Sequence, residues 1–381
     1  MSDNTATVLH AQAAKPAGDV RHSLGVYVLL IAAPLALLAR LLGLSSLLVF
    51  ALAALGIIPL AALIGKATEE LTVYLGPKLG GLLNATFDNV AELSITVISV
   101  AHGLTDFVKA AITGSIICNT LLCIGLAALI GGLRHGRLTF DREEAGRHAM
   151  LMLLAVAGLS LPSLFAVAVP SPLPVEAVSL LTAALLLLVY ALYVVYTIVA
   201  TNHPPDAEPG EPGGAGEVGG ETTAATWSLR KAVGVLAAAV GAIVVVSELL
   251  VSTVEPVTQQ LGWSELFVGI IIVPAIGAAA EMYSTVAFAC KNRLDVSMAV
   301  AAGSSTQIAL FLAPFLVLVS LLLRNPITLV FNRAELLVLG LTTAAFTLIG
   351  FDAKSNWLQG AQLLVLYLIM AVVFFFVPIA Q

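Results

Sequence analysis

Between Leu82 and Val100 the chain reads LLNATFDNVAELSITVISV, an apolar stretch interrupted by Asp88 and Glu92, with Asn84 and Asn89 beside them. A second apolar stretch, PAIGAAAEMYS at 274–284, carries Glu281. A charged group in the middle of a bilayer is costly. Facing carboxylates also repel each other unless a cation or a proton sits between them. Oxygen-only ligands suit hard cations such as Ca²⁺, so a bound cation and a bound proton are alternative solutions to the same problem. A site that holds one or the other, and is costly when empty and charged, has the chemistry of an exchanger.

Other polar groups accompany the carboxylates. GSIICNT (114–120) offers Ser115 and Asn119, and GSSTQIA (303–309) offers Ser304, Ser305, Thr306 and Gln307. Such residues either line a site or only help helices to pack. Pro274 and Gly277 weaken the helix before Glu281, and a break there releases backbone carbonyls as cation ligands. The candidate cation ligands are therefore Glu92, Glu281, Asp88, Asn89, Gly277, Ser115, Ser304, Ser305 and Gln307. Asp88 and Glu92 are four residues apart, so a continuous helix puts both on one face and three carboxylates around the site. Two readings of Asp88 stand here: a third titrating carboxylate, or a cap on the second half of a broken helix. Asp106 and Asp295 read as caps at helix starts. Asp141, Glu143, Glu144 and Glu335 read as solvated helix ends, and His102 and His135 as solvated residues near the membrane interfaces.

These residues must be carried by something that spans a membrane. Of 381 residues, 59% are hydrophobic and 10% charged, against about 25% charged in a soluble chain. Lipid offers backbone groups no partners, so spans are helices or closed barrels. Long runs such as LLTAALLLLVYALYVVYTIVA exclude the alternation of a barrel. A helical span takes about 20 apolar residues. Eleven such segments are predicted, at about 25–43, 46–66, 80–101, 106–131, 147–169, 174–200, 228–252, 265–289, 295–322, 333–350 and 357–379. The expectation is an all-α integral membrane protein whose first apolar run is a span rather than a cleaved leader. With the N-terminus in the cytoplasm and sides alternating, 13 of the 17 Lys and Arg residues fall on the cytoplasmic side. The positive-inside bias then gives an N-in, C-out chain.

The longest connection, 201–227, is rich in Pro and Gly and has five acids and no Lys or Arg. It reads as a flexible cytoplasmic linker between two halves that repeat. Glu92 and Glu281 are 189 residues apart, and the same offset relates Asp106 to Asp295 and Gly114-Ser115 to Gly303-Ser304. LTFDREE at 138–144 matches LVFNRAE at 329–335 at an offset of 191. The expected layout is a cytoplasmic tail (1–24), an additional first helix (25–43), a five-helix repeat (46–200), the linker (201–227) and a second five-helix repeat (228–381). An odd number of spans per repeat forces the copies into opposite orientations, the inverted-repeat plan of secondary transporters.

Several function classes are disfavoured. No GxxxxGK[ST] run supports ATP drive. No Ser-His or His-Glu-x-x-His arrangement suggests an intramembrane enzyme, and no basic patch suggests a nucleic-acid partner. Cys118, Cys123 and Cys290 lie in apolar stretches and form no disulfide framework. The expected partners are membrane lipid and the transported cations, with no cofactor, in a prokaryotic-type inner membrane. The residues alone leave three transport readings open: cation/proton exchange, coupling to Na⁺ or carriage of another cation such as Mn²⁺ or K⁺, and a passive cation channel.

GGLLNATFDNVAEL resembles the first signature of the calcium/cation exchanger superfamily, in its cation/proton antiporter branch. VGIIIVPAIGAAAEM with KNRLDVSMAVAAGSSTQIALF resembles the second. The likeness runs from about Gly65 to the end, including SNWLQG at 355–360. It implies a first helix followed by two inverted five-helix repeats joined by an acidic cytoplasmic segment. It also implies export of Ca²⁺ in exchange for protons, with Glu92 and Glu281 as the central carboxylates. The chain departs from the pattern in two places. Asp88 stands where the first motif commonly has Gly, and Ala278 and Met282 stand where the second usually has Asn and His. Asp88 is thus a candidate to take over the proton handling of the missing His.

Overall fold

A computed structural model describes residues 28–169, 171–200 and 226–376. The expected tail and linker residues 201–225 lie outside the described residues. The described residues are almost entirely helical. The helices are α1 (Leu29–Leu41), α2 (Ser46–Gly76), α3 (77–87), α4 (Val90–Ala101), α5 (Thr105–His135), α6 (Arg142–Ala168) and α7 (Pro172–Ala200). After the linker come α8 (Leu229–Leu261), α9 (Glu265–Gly277), α10 (Ala279–Cys290), α11 (Leu294–Leu322), α12 (Arg333–Asp352) and α13 (Trp357–Phe375). Among the described residues, eight helices are long and apolar enough to cross a membrane, or nine if the bent pair α9–α10 is one span.

Local chemistry explains many of the boundaries. Gly76 separates α2 from α3 at φ 78°, ψ 169°, a conformation that glycine adopts without the penalty of a Cβ. Asp141 caps α6 by accepting from the backbone of Glu143 and Glu144. Asn332 caps α12 in a reciprocal box with Glu335, each bond 2.8 Å. Asn356 caps α13 by accepting from Leu358 and Gln359. A side-chain acceptor at such a position satisfies N–H groups that have no partner within the helix.

Three sequence expectations about helix ends need correction. Glu335 is not solvated: it is 2% exposed, because its box with Asn332 folds the carboxylate inward. Asp106 and Asp295 are not caps. The capping positions are Leu104 and Arg293, and the two acids sit one residue inside the first turn. There they complement the helix dipole and pair with Lys109 (2.7 Å) and Arg293 (3.0 Å). The linker's end is also held. Glu70 accepts from the backbone of Thr226 and Trp227 and from the Thr226 hydroxyl. Tyr74 donates to the Trp227 carbonyl, and Lys66 and Lys231 both stand over the Trp227 ring. His102 and His135 are exposed as expected, within hydrogen-bond distance of Glu248 and the Cys290 carbonyl.

Burial shows which helices form the interior. The apolar cores of α5 and α11 are 72% and 61% buried, against 17% for α7. The α7 surface is a row of exposed Leu181, Leu185, Leu188 and Leu192, the face a lipid-contacting helix presents. The two interior helices are the ones that carry GSIICNT and GSSTQIA. Each contains a wider π-helical turn, at Cys118–Cys123 and at Ile308–Leu312; such turns are frequent at functional sites. Small residues let these helices approach their neighbours. A Cβ on Gly114 would lie 2.6 Å from the Ile270 Cα, so α5 and α9 touch through backbone, as membrane helices commonly do. A two-residue antiparallel pairing, Leu138 with Ser355 and Thr139 with Lys354, ties the loops before α6 and α13 together.

Candidate cation site

Both conspicuous carboxylates lie just past a break in a helix. The chain leaves helical geometry after Phe87 and resumes at Val90, with Asn89 at the capping position. It also breaks between α9 and α10, where the axis bends by 56° and Ala278 holds the capping position. Glu92 is the third residue of α4 and Glu281 the third of α10. Each helix has twelve residues, and their boundaries are related by the offset of 189. Each carboxylate therefore belongs to the first turn of its helix, at the positive end of the helix dipole.

Glu92 is 5% exposed and Glu281 8%. Among the described residues, Oε1 and Oε2 of Glu92 and Oε2 of Glu281 are buried without a hydrogen-bond partner. Buried carboxylate oxygens left in this way are costly. Glu281 lies within electrostatic reach of Glu92 and of Asp88. The Glu92 carboxylate rests against Gly277, the last residue before the break in the other half.

The break changes the reading of Asp88. The expectation that Asp88 and Glu92 share one helical face required a continuous helix, and the chain turns at Asp88-Asn89 instead. Asp88 also does not occupy the capping position, which belongs to Asn89. The side chain of Asn84 lies outside the described residues.

Asn89, Ser304, Gln307 and Asn119 form one connected network. Asn89 Nδ2 donates to Gln307 Oε1 at 2.7 Å. Ser304 donates to Asn89 Oδ1 at 2.9 Å and accepts from Asn119 Nδ2 at 2.9 Å. The turn before α4 is thereby joined to both interior helices. Ser305 pairs with Thr120 at 3.0 Å and donates to the Ile116 carbonyl at 3.4 Å, so it links α5 to α11. Ser115 is 4% exposed. Among the described residues, no three His, Cys, Asp or Glu side chains are gathered into a metal cage. A cation seated here would draw on amide, hydroxyl and backbone oxygens as well as carboxylates, a donor set suited to Ca²⁺.

Sequence reasoning did not single out several nearby residues. Thr120 is the partner of Ser305. Thr96 donates to the Glu92 carbonyl at 2.6 Å. Glu69, on α2, is within electrostatic reach of Asp88. Cys123 contacts the Asn119 amide oxygen at 3.7 Å. Thr120 and Cys123 fall in or beside the quoted GSIICNT run. Glu69 had no signal, because only the packing of α2 brings it near the site.

A helical, membrane-spanning bundle with orphaned carboxylates at two broken helices is built to handle ions within a membrane. The chain belongs to the sodium/calcium exchanger protein family, which matches residues 45–199 and 231–376. It is 39% identical over 368 residues to the Ca²⁺/H⁺ antiporter of Aphanothece halophytica, covering 92% of this chain and 96% of that one. It is 37% identical over 355 residues to the Ca²⁺/H⁺ antiporter ChaA of Bacillus subtilis, covering 92% and 99%. Its fold is similar to the solved structure of native YfkE, with a TM-score of 0.79 at 34% identity over 92% of this chain and 100% of that one.

Proposed function

We propose that this chain is a secondary active antiporter that exchanges Ca²⁺ for H⁺ by alternating access at the Glu92–Glu281 site. The carrying observation is that three carboxylate oxygens of Glu92 and Glu281 are buried together without a hydrogen-bond partner. Such a site is relieved by a cation or by protons, and alternation between the two is exchange. Relatives at 37–39% identity over nearly their whole length that are named Ca²⁺/H⁺ antiporters support the same reading. Glu92 and Glu281 supply the charge, Asp88 a further carboxylate, and Asn89, Gln307, Ser115 and the Gly277 carbonyl neutral oxygens. Ser304 and Ser305 act on the site by hydrogen-bonding its supports. Ca²⁺ and H⁺ are cargo, no cofactor takes part, and the chain is not an enzyme.

The proposed layout is eleven membrane helices. α1 stands first, followed by α2, α3–α4, α5, α6 and α7 as one repeat and α8, α9–α10, α11, α12 and α13 as its inverted copy. The matched bounds of α4 and α10 support it, as do the π-helical turns of α5 and α11. Loop contacts fit the alternation of sides. The Leu138–Ser355 pairing joins two loops assigned to the cytoplasm. Asn325, donating to the Val100 and Ala101 carbonyls, joins two assigned to the outside. We place the N-terminus in the cytoplasm and the C-terminus outside a prokaryotic inner membrane.

The test is ⁴⁵Ca²⁺ uptake by purified protein in proteoliposomes under an imposed pH gradient, repeated with a Na⁺ gradient. Uptake that saturates and reverses with the proton gradient is expected, and Glu92→Gln and Glu281→Gln should each abolish it while inserting normally. Uptake driven by Na⁺ and indifferent to the proton gradient would establish the Na⁺-coupled alternative. Passive equilibration without coupling would establish a channel.

A further inference from the structure

The matched breaks assign a position to Asp88 that its sequence neighbourhood conceals. α4 and α10 correspond residue for residue at an offset of 189, so Asp88 holds the place in the first half that Gly277 holds in the second. Gly277 is the residue against which Glu92 rests from across the site: a Cβ there would stand 2.7 Å from Glu92 Oε1. Applied in reverse, the same relation would set Asp88 beside Glu281. The two halves also meet through helices: the end of α9 contacts α4, and α10 contacts the 46–87 segment. Glu281 lies within electrostatic reach of Asp88. One half therefore presents Glu92 with a bare backbone, whereas the matching position of the other half carries a carboxylate.

We propose that Asp88 is a specificity-determining ligand on the Glu281 side of the site, forming with Glu281 a two-carboxylate half that favours divalent over monovalent cations. The proposal rests on the reading of Glu92 and Glu281 as the cation site. A divalent ion gains twice the Coulomb energy of a monovalent one from each added carboxylate. In oxygen-ligand sites, affinity is tuned by the number of ligand charges. An extra carboxylate on one side raises Ca²⁺ affinity more than it raises Na⁺ or K⁺ affinity. It also makes the two halves of a repeated architecture unequal in charge.

The experiment is equilibrium ⁴⁵Ca²⁺ binding to the detergent-purified full chain by scintillation proximity, with Na⁺ and K⁺ as competitors. Asp88→Asn keeps size and an oxygen but removes the charge. Its half-saturating Ca²⁺ should rise about tenfold or more, in line with the charge dependence of such sites, and Na⁺ should compete more effectively. Asp88→Glu, which keeps the charge but moves it by a methylene, should preserve the preference for Ca²⁺ over Na⁺ and shift half-saturation less than Asp88→Asn does. Should Asp88→Asn not purify as a monodisperse protein, Asp88→Gly, which copies the matching residue of the other half, reads the same shift. Unchanged Ca²⁺ half-saturation and unchanged Na⁺ competition would overturn the assignment. Wild-type affinity in both Glu92→Gln and Glu281→Gln, or no Ca²⁺ binding by the wild type, would instead overturn the site reading, and the Asp88 assignment with it.

Discussion

Gly277 and Glu92, on opposite halves of the chain, are in direct register: a Cβ on Gly277 would lie 2.7 Å from Glu92 Oε1 and 3.2 Å from its Cδ. The atoms in the way belong to the movable end of a side chain. Gly277→Ala should therefore fold but push the carboxylate out of place. Small misplacements of a functional group commonly cost orders of magnitude in rate, so the initial rate of Ca²⁺ uptake should fall at least about tenfold. Thermal stability in detergent should hold near wild type. An unchanged uptake rate would show that the carboxylate has room to spare.

Ser304 joins Asn89 on one side to Asn119 on the other. Ser304→Ala removes both bonds and leaves two amides to find new partners. Interhelical hydrogen bonds in membranes are each worth roughly 0.6–2 kcal/mol. The variant should lose about 1–2 kcal/mol of stability and transport more slowly, because the turn before Glu92 loses its anchor. A thermal-shift series in detergent, paired with uptake rates, checks both effects. Ser305→Ala, which breaks only the α5–α11 link, should affect stability more than Ca²⁺ half-saturation.

Gly360 lets α13 meet α5 through backbone. A Cβ there would stand 2.7 Å from the Gly125 carbonyl oxygen and 2.8 Å from the Ala128 carbonyl carbon. Backbone atoms cannot move aside as a side chain can, and overpacking typically costs about 1–3 kcal/mol. Gly360→Ala should lower the melting temperature clearly, and uptake should fall because α5 carries Ser115 and Asn119. A variant as stable as wild type would mean that α13 tilts away at little cost.

The Glu70 clasp on Thr226 and Trp227 holds the start of α8 against α2. Hydrogen bonds to a carboxylate are worth about 1.5–3 kcal/mol when shielded and less when exposed, as most of this clasp is. Glu70→Ala should therefore speed proteolytic cleavage near Trp227 by about tenfold, the equivalent of roughly 1.4 kcal/mol. Limited proteolysis in detergent reads it directly. Cleavage at the wild-type rate would show that Tyr74 and the two lysines suffice.

Much of this protein was legible in one dimension. A bilayer imposes a length and a composition on every span, so the apolar segments stood out, as did the carboxylates within them. The weak point at Pro274 and Gly277 followed from local backbone chemistry, and the match of LTFDREE to LVFNRAE marked the repeat, although the caps at Asp141 and Asn332 were seen only in the structure. Tertiary structure decided the rest. It separated Asp88 from Glu92 by a turn that the apolar pattern did not signal. It set Gly277 against Glu92, joined Ser304 to both Asn89 and Asn119, buried Glu335 and clasped Trp227. These relations, apart from the turn and Glu335, link residues more than 150 positions apart. They depend on how helices from the two halves pack. Periodicity along a chain shows which face of a helix turns inward, but not which residue of another helix it meets there.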